Sequence, residues 1–403
     1  MSPTDPPVAD RQSERFLYLY ALAVSGGSVA YVPFLTILLP NQVALLHTKG
    51  ALELLAHTAF AGAIAASMAN ILFGWASDKT KSRRPWIASG LFLSSVLLPL
   101  MPLANTATML VLMITCWQVC LNMMLAPLAA WAGDTVPDGQ KGFLGGLLAF
   151  APALGAVSGV LITFPGVADD DARLVIISVL VVFMVSPALF LGGPKSMPRL
   201  MTAAPQPDAG YERPGHNRIA VVQMWVARLL VQIAEASLFA FLLLWFRSID
   251  PAFADNDAAK VFATVLCVAV ILALIIGRWS DNRDSPIQPL TACAVVASIG
   301  LIIMAFSGSL FLGVGGYVIF GLASTVFLSL HSSRTLGVLR TPANRGRDLG
   351  YFNLTNTVPS IIMPWITLAM VPAYGFNMLF LLLAALSCCA AILLAQMQHR
   401  STA

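Results

Sequence analysis

Twelve apolar runs of about 20 residues follow one another along this chain of 403 residues, and each is long enough to cross the hydrocarbon core of a bilayer. Only 10% of the residues are charged, whereas about 25% are charged in a soluble globular protein. Water therefore cannot be the main solvent, and we predict an all-α membrane protein with twelve transmembrane helices. The predicted helices are 16–40, 52–76, 86–105, 107–131, 143–165, 173–193, 219–246, 258–278, 288–307, 309–332, 349–371 and 374–397.

A Pro-rich polar stretch, 194–218, separates the first six apolar runs from the last six and is predicted to be a linker. The first fifteen residues are polar and lack the short apolar core of a signal peptide, so the first run is expected to stay in the mature protein. The predicted organisation is as follows: N-terminal tail 1–15, first six-helix bundle 16–193, linker 194–218, second six-helix bundle 219–397 and C-terminal tail 398–403.

The distribution of lysine and arginine predicts the orientation. With both termini in the cytoplasm, eighteen of these residues fall on the cytoplasmic side and four on the outer side. Short cytoplasmic loops carry such an excess of basic residues. We therefore expect cytoplasmic termini, and the short loops favour a bacterial inner membrane.

A charged loop between the second and third apolar runs occurs in both halves. Residues 74–86 read GWASDKTKSRRPW, and a shorter copy at 277–286 reads GRWSDNRDSP. The two lie about half the chain apart. Such a repeat predicts a duplicated transporter.

The loop from Gly74 to Arg84, with its Asp78, resembles the signature between helices 2 and 3 of the major facilitator superfamily. Its Ser-Asp pair and its SRRPW tail resemble the branch of sucrose transporters and of glycoside–cation symporters typified by melibiose permease. The stretches 134–142 and 340–350 point the same way. The resemblance implies two pseudo-symmetric six-helix bundles with a solute site between them, exposed alternately to the two sides of the membrane.

In this fold, Asp78 and Asp281 would approach the positive N-termini of helices near 349 and 143. Each carboxylate would gain about 0.3–1 kcal/mol there while the cytoplasmic side is closed. The alternative is that these loops only anchor the topology. The predicted cytoplasmic gate comprises Gly74, Asp78, Arg83, Arg84, Asp134, Gly277, Asp281, Arg334, Arg345, Arg347 and Asp348.

Helix 7 carries Arg228, Gln232 and Glu235 on one stripe at bilayer depth. We predict that Glu235 carries a proton and that Arg228 binds a substrate or a carboxylate. The two lie two turns apart and would need Gln232, a water or a solute as a bridge. A structural network between the halves is the alternative.

Helix 2 carries Glu53 and His57 one turn apart, near its outer end. In melibiose permease, a pair of carboxylates on this helix forms the cation site, so the resemblance makes these residues second candidates for coupling. A histidine in place of a carboxylate favours a proton over sodium. A histidine at the interface, bonded to Glu53 or water, is the alternative.

Neutral polar and aromatic residues in the apolar runs suit a sugar, whose hydroxyls bind amides and whose ring stacks on indole. The same residue types also hold transmembrane helices together. The candidates are Tyr31, Trp117, Gln118, Asn122, Asn353 and Asn356.

No nucleophile motif, phosphate-binding loop or metal-ligand cluster occurs, so we expect no enzyme activity, no cofactor and no nucleic-acid partner. The favoured function is proton-coupled uptake of a sugar, glycoside or similar polar solute by a monomer. Proton-driven efflux and a non-transporting assembly or pigment-delivery factor on the same fold are the alternatives.

Overall fold

The computed structural model describes the backbone of residues 11–46, 50–195, 197, 218–281, 287–338 and 345–402. The side chains of 138, 171, 218–221, 280–281, 332–354 and 398–402 are outside this description. Every regular element in these ranges is a helix. The helices are α1 Glu14–Pro33, a π-helical turn Phe34–Leu38, α2 Leu39–Leu46, α3 Ala51–Lys79, α4 Arg84–Leu97, a 3-10 turn Leu98–Leu103, α5 Ala107–Thr135, α6 Asp138–Leu148, α7 Ala151–Thr163, α8 Asp170–Leu191, α9 Arg218–Ile249, α10 Asp255–Asp281, α11 Gln288–Ala305, α12 Leu310–Val338 and α13 Arg345–Thr402.

Eleven helical segments in the described ranges are long and apolar enough to cross a membrane. The last of them, Thr355–Met397, has 43 residues, which at 1.5 Å per residue is about twice the thickness of the bilayer core. Its backbone leaves the helical region at Gly375, where φ is 76° and ψ is 172°. This kink divides α13 into two crossings, so the all-α fold with twelve crossings is confirmed in outline.

Several helices differ from the predicted runs. The first crossing continues through the π-helical turn to Leu46, and α5 continues to Thr135 instead of ending at 131. The predicted helix 143–165 is two helices, because α6 ends before Ala149 and α7 begins at Ala151 with Pro152 in its first turn. Proline lacks the N–H that a continuous helix needs, and it is tolerated at a helix start.

The N-terminal tail and the end of the first bundle meet at Gln12. The Gln12 side chain is buried, and its Nε2 donates to the carbonyl oxygens of Thr135 at 3.0 Å and Lys195 at 3.1 Å. The chain start, the end of α5 and the start of the predicted linker therefore lie close together. Most of the linker 194–218 is outside the described residues.

Candidate functional site

A cavity of about 580 Å³ lies between the two halves of the chain. The wall includes residues of α1, α3, α5 and α7 from the first half. It includes residues of α9, α10 and α13 from the second half. Most of the lining is aliphatic or aromatic, and eleven side chains are polar. The polar lining residues are Tyr31, Thr58, Ser67, Asn70, Gln118, Asn122, Gln232, Glu235, Asn356, Thr357 and Ser360.

The carboxylate of Glu235 is the one charged group among the described residues of this wall. Glu235 lies midway along α9, and its Oε2 accepts a hydrogen bond of 2.9 Å from Nε2 of Gln232. The other end of that amide, Oε1 of Gln232, is buried and accepts no hydrogen bond from any described residue. The cavity wall thus contains an unsatisfied buried acceptor one turn from the Glu235 carboxylate.

Arg228 does not line the cavity, although it was predicted to bind solute. Its Nε donates to Oγ1 of Thr355 at 3.0 Å and its Nη2 to Oδ1 of Asn356 at 3.2 Å, both on α13. Its Nη1 donates to the carbonyl oxygen of Leu328 on α12 at 3.3 Å. Arg228 therefore holds α9 against α12 and α13, and it reaches the cavity through Asn356.

The opposite wall carries a cluster of amides on α3 and α5. Asn70 Nδ2 donates to Oδ1 of Asn122 at 3.4 Å, and Asn122 Nδ2 donates to the carbonyl oxygen of Gln118 at 2.9 Å. Gln118 and Asn122 were predicted, whereas Asn70 was missed. Its signal was present in the sequence, since Ser67 and Asn70 are a turn apart within the apolar run 52–76.

Aromatic side chains from the two halves meet beside Glu235. The ring centroids of Tyr31 on α1 and Phe239 on α9 are 6.4 Å apart, with the ring planes inclined at 50°. Phe239 is four residues after Glu235, so both are on one face of α9. Tyr31 is close enough to Glu235 to interact with its charge.

Three residues of the predicted site lie outside the cavity wall: Trp117, Glu53 and His57. Trp117 is fully buried against Phe34, with ring centroids 4.9 Å apart, and it does not line the cavity. Glu53 and His57 are exposed near the start of α3. His57 Nδ1 is 2.8 Å from the Glu53 carbonyl oxygen, and its ring contacts Trp365 of α13. The position of Trp117 is therefore that of a packing residue. The contact of His57 with the Glu53 carbonyl oxygen is the local contact expected of a histidine at the interface.

A polar network joins the two halves at the end predicted to be outer. Asp255 on α10 accepts from Arg247 at 2.6 Å, from Arg173 on α8 at 3.2 Å and from Asn41 on α2 at 2.5 Å. Arg247 also donates to Oδ1 of Asn41 at 2.5 Å. The Asp255 carboxylate thus joins α10 to the ends of α2, α8 and α9 from both halves.

The end predicted to be cytoplasmic shows a different pattern. Arg83 forms ion pairs with Asp78 and Asp134, both in the first half, and donates to Ser77 at 2.6 Å. Burial alone would lower the pKa of Arg83, but the hydrogen bonds and charges of the two aspartates outweigh it and raise that pKa. These contacts of Arg83 all lie within the first half.

Only some side chains of the predicted gate belong to the described residues. A Cβ added to Gly74 would meet no atom within 4 Å, whereas one added to Gly277 would touch Leu330 in its own half at 3.6 Å. Arg84 lies over the ring of Trp131, 5.6 Å from its centroid. The side chains of the remaining gate residues are outside the described part of the chain. These residues are Asp281, Arg334, Arg345, Arg347 and Asp348. The side chain of Asn353, from the predicted solute site, is outside it as well.

Comparison with known proteins agrees with this architecture. The family model described as the Major Facilitator Superfamily matches residues 4–160. Among solved structures, the chain is similar to a bacterial homologue of the human lysosomal transporter Spinster in an inward-facing, unoccupied conformation. The TM-score is 0.64 at 14% identity, over 96% of this chain and 94% of that one. No curated protein matches the chain by sequence. The chain has the major facilitator fold and is a multi-pass membrane protein.

Proposed function

We propose that this chain is a secondary transporter that works by alternating access and couples transport to protons through Glu235. The observation that carries the proposal is the Glu235 carboxylate, midway along a membrane helix in the wall of a cavity between the halves. An ionisable group at this depth costs several kcal/mol and marks function. A bacterial inner membrane and a monomer remain the expected setting.

The polar network at Asp255 supports alternating access. It joins the halves at the end predicted to be outer. With the halves joined there, a solute would reach the cavity from the opposite side, which is predicted to be cytoplasmic. The opposite conformation requires the Asp255 contacts to break and the predicted gate around Asp78 to form.

Two transport functions are candidates: uptake of a polar solute and proton-driven efflux. The amides of Gln118, Asn122 and Asn70 support uptake of a sugar or similar polar solute, as the sequence predicts. The indole expected to stack on a sugar ring is absent from the described wall, because Trp117 is buried elsewhere. Proton-driven efflux is the second candidate, and the largely apolar wall with its single carboxylate favours it.

The test is proton movement in proteoliposomes that contain the purified protein and a pH-sensitive dye. A panel of sugars, metabolites and organic cations is added on one side. We expect at least one solute to change the internal pH, and Glu235→Gln to abolish this response because it removes the titratable carboxyl group. Glu14→Gln, at an exposed position at the start of α1, is the matched control and should respond like the unmodified protein.

A protein that changes the internal pH with no solute of the panel would overturn the proposal. That outcome, together with co-purification of a partner protein, would favour the assembly-factor alternative. A solute response that persists in Glu235→Gln would exclude Glu235 as the proton site.

A further inference from the structure

We propose that the cavity binds a monovalent organic cation with N–H donors, an ammonium or guanidinium group on an apolar body, and that this cation and a proton compete for Glu235. The inference rests on the proposed function and narrows its substrate class. It depends on three properties of the cavity wall: its charge, its unsatisfied acceptor and its aromatic rings.

The charge of the wall favours a cation. Among the described lining residues there is one carboxylate and no lysine, arginine or histidine. Arg228 interacts electrostatically with Glu235, but its guanidinium donates to Thr355, Leu328 and Asn356. Glu235 forms no ion pair with any described residue, so its ionised form places a negative charge in the wall that no described lining side chain neutralises.

The hydrogen-bonding pattern favours a donor. Buried polar atoms in proteins are almost always hydrogen-bonded, and each exception calls for an explanation. The buried Oε1 of Gln232 is such an exception. The nitrogen of the same amide is paired, because it donates to Glu235. A cation with two or more N–H groups can donate to the Glu235 carboxylate directly, and it can donate to Oε1 of Gln232 as well once that buried oxygen turns toward the cavity. A quaternary ammonium or a sodium ion has no N–H to offer.

The rings and the size of the cavity favour an organic body. Tyr31 and Phe239 flank Glu235 from the two halves, and Phe241 also lines the wall. A cation over an aromatic face is attracted electrostatically by the ring, and the attraction is stronger when both are out of water. A volume of about 580 Å³ is within the range of sites for drug-sized ligands.

The proton competes with the cation because both neutralise the same carboxylate. Besides Arg228, the titratable groups whose charge interacts with Glu235 are the phenols Tyr31 on α1 and Tyr317 on α12. Neither phenol is a base near neutral pH, so Glu235 is the group that exchanges the proton. One proton moving in for each monovalent cation moving out balances charge, and the resulting transport is electroneutral exchange.

The experiment compares two probes of the same shape. Benzylguanidinium and benzylurea differ in charge and little else, and both carry N–H groups. Binding to the purified protein is measured between pH 5.5 and 8. We expect benzylguanidinium to bind more tightly than benzylurea at pH 8. Its affinity should fall by up to about tenfold per unit of pH as Glu235 becomes protonated, because one proton displaces one cation. Benzylurea binding should not change with pH.

Two results would overturn this inference. One is equal affinity for the two probes, and the other is a pH dependence that is unchanged in Glu235→Gln while Glu14→Gln behaves like the unmodified protein. The comparison of the two probes needs no variant, so it holds even if Glu235→Gln fails to fold. If benzylurea binds as well as benzylguanidinium and another solute moves protons through Glu235, the substrate class is wrong and the proposed function stands. If no solute moves protons, the proposed function itself fails.

Discussion

At the scale of single residues, helical periodicity placed Arg228, Gln232 and Glu235 correctly on one stripe of α9. Packing then separated their environments. Glu235 and Gln232 line the cavity, whereas Arg228 is bound to Thr355 and to the carbonyl oxygen of Leu328. A stripe defines which residues share a face, but the neighbouring helices decide what each part of that face meets.

Trp117 provides a test at this scale. Because its indole packs against Phe34 outside the cavity, Trp117→Phe should change solute affinity less than about twofold while it lowers the thermal stability of the protein. Asn122→Leu, one turn further along α5 and in the cavity wall, should weaken binding of a hydrogen-bonding solute by about tenfold or more. Solute binding and the unfolding temperature are measured for both variants. The opposite ranking of affinities would show that the indole contacts the solute.

At the scale of elements, close helix pairs within each half keep the cavity wall in place. A Cβ on Gly90 of α4 would lie 2.4 Å from the backbone nitrogen of Met124 on α5. A Cβ on Gly300 of α11 would lie 2.5 Å from the backbone nitrogen of Phe320 on α12. These pairs are the third and fourth crossings of each half. Small residues allow membrane helices to approach so closely, since packing rather than the hydrophobic effect drives their association.

We therefore expect Gly90→Ala to destabilise the protein by about 1–3 kcal/mol, because α4 and α5 must separate to admit the methyl group. Gly315→Ala is the matched control, since a Cβ at Gly315 of α12 would meet no atom within 4 Å. This control should be neutral or slightly stabilising, as alanine favours a helix more than glycine does. Thermal unfolding in detergent, followed by tryptophan fluorescence, compares the two. Equal unfolding temperatures would mean that the close approach contributes nothing.

At the scale of the whole molecule, the contacts between the halves at the end predicted to be outer depend on one shared carboxylate. Asp255 is about five-sixths buried and bridges two arginines, one from each half. Loss of one partner from a buried charged network leaves the remaining charges uncompensated. Because the two conformations of a transporter differ by only a few kcal/mol, such a loss shifts the population.

We expect Asp255→Asn to open the outer end. Spin labels at Asn105 and Gly308, in the outer loops of the two halves, report the separation in a background without the six native cysteines. Their distance distribution should shift to longer values in Asp255→Asn. Asp257→Asn, which removes an exposed carboxylate that pairs with Lys260 in the next turn, should leave it unchanged. Identical distributions in the two variants would contradict a closing role for Asp255.

The apolar runs by themselves determined that the chain crosses a membrane, about how often, and that it does so with helices. These properties follow from local composition and from the length of each run, so they need no knowledge of the neighbours. The stripe on α9 was predictable for the same reason. The repeated charged loop indicated the major facilitator fold, and the match of residues 4–160 and the similar transporter structure agree with it.

Only the tertiary structure decided which polar groups share the cavity. Trp117 and Gln118 are neighbours in sequence, yet one is buried in packing and the other lines the cavity. Asn41 and Asp255 close the outer end from 214 positions apart. The free acceptor of Gln232 likewise depends on which donors surround it. Such contacts arise from the way whole helices pack, and spacing along one helix carries no information about them.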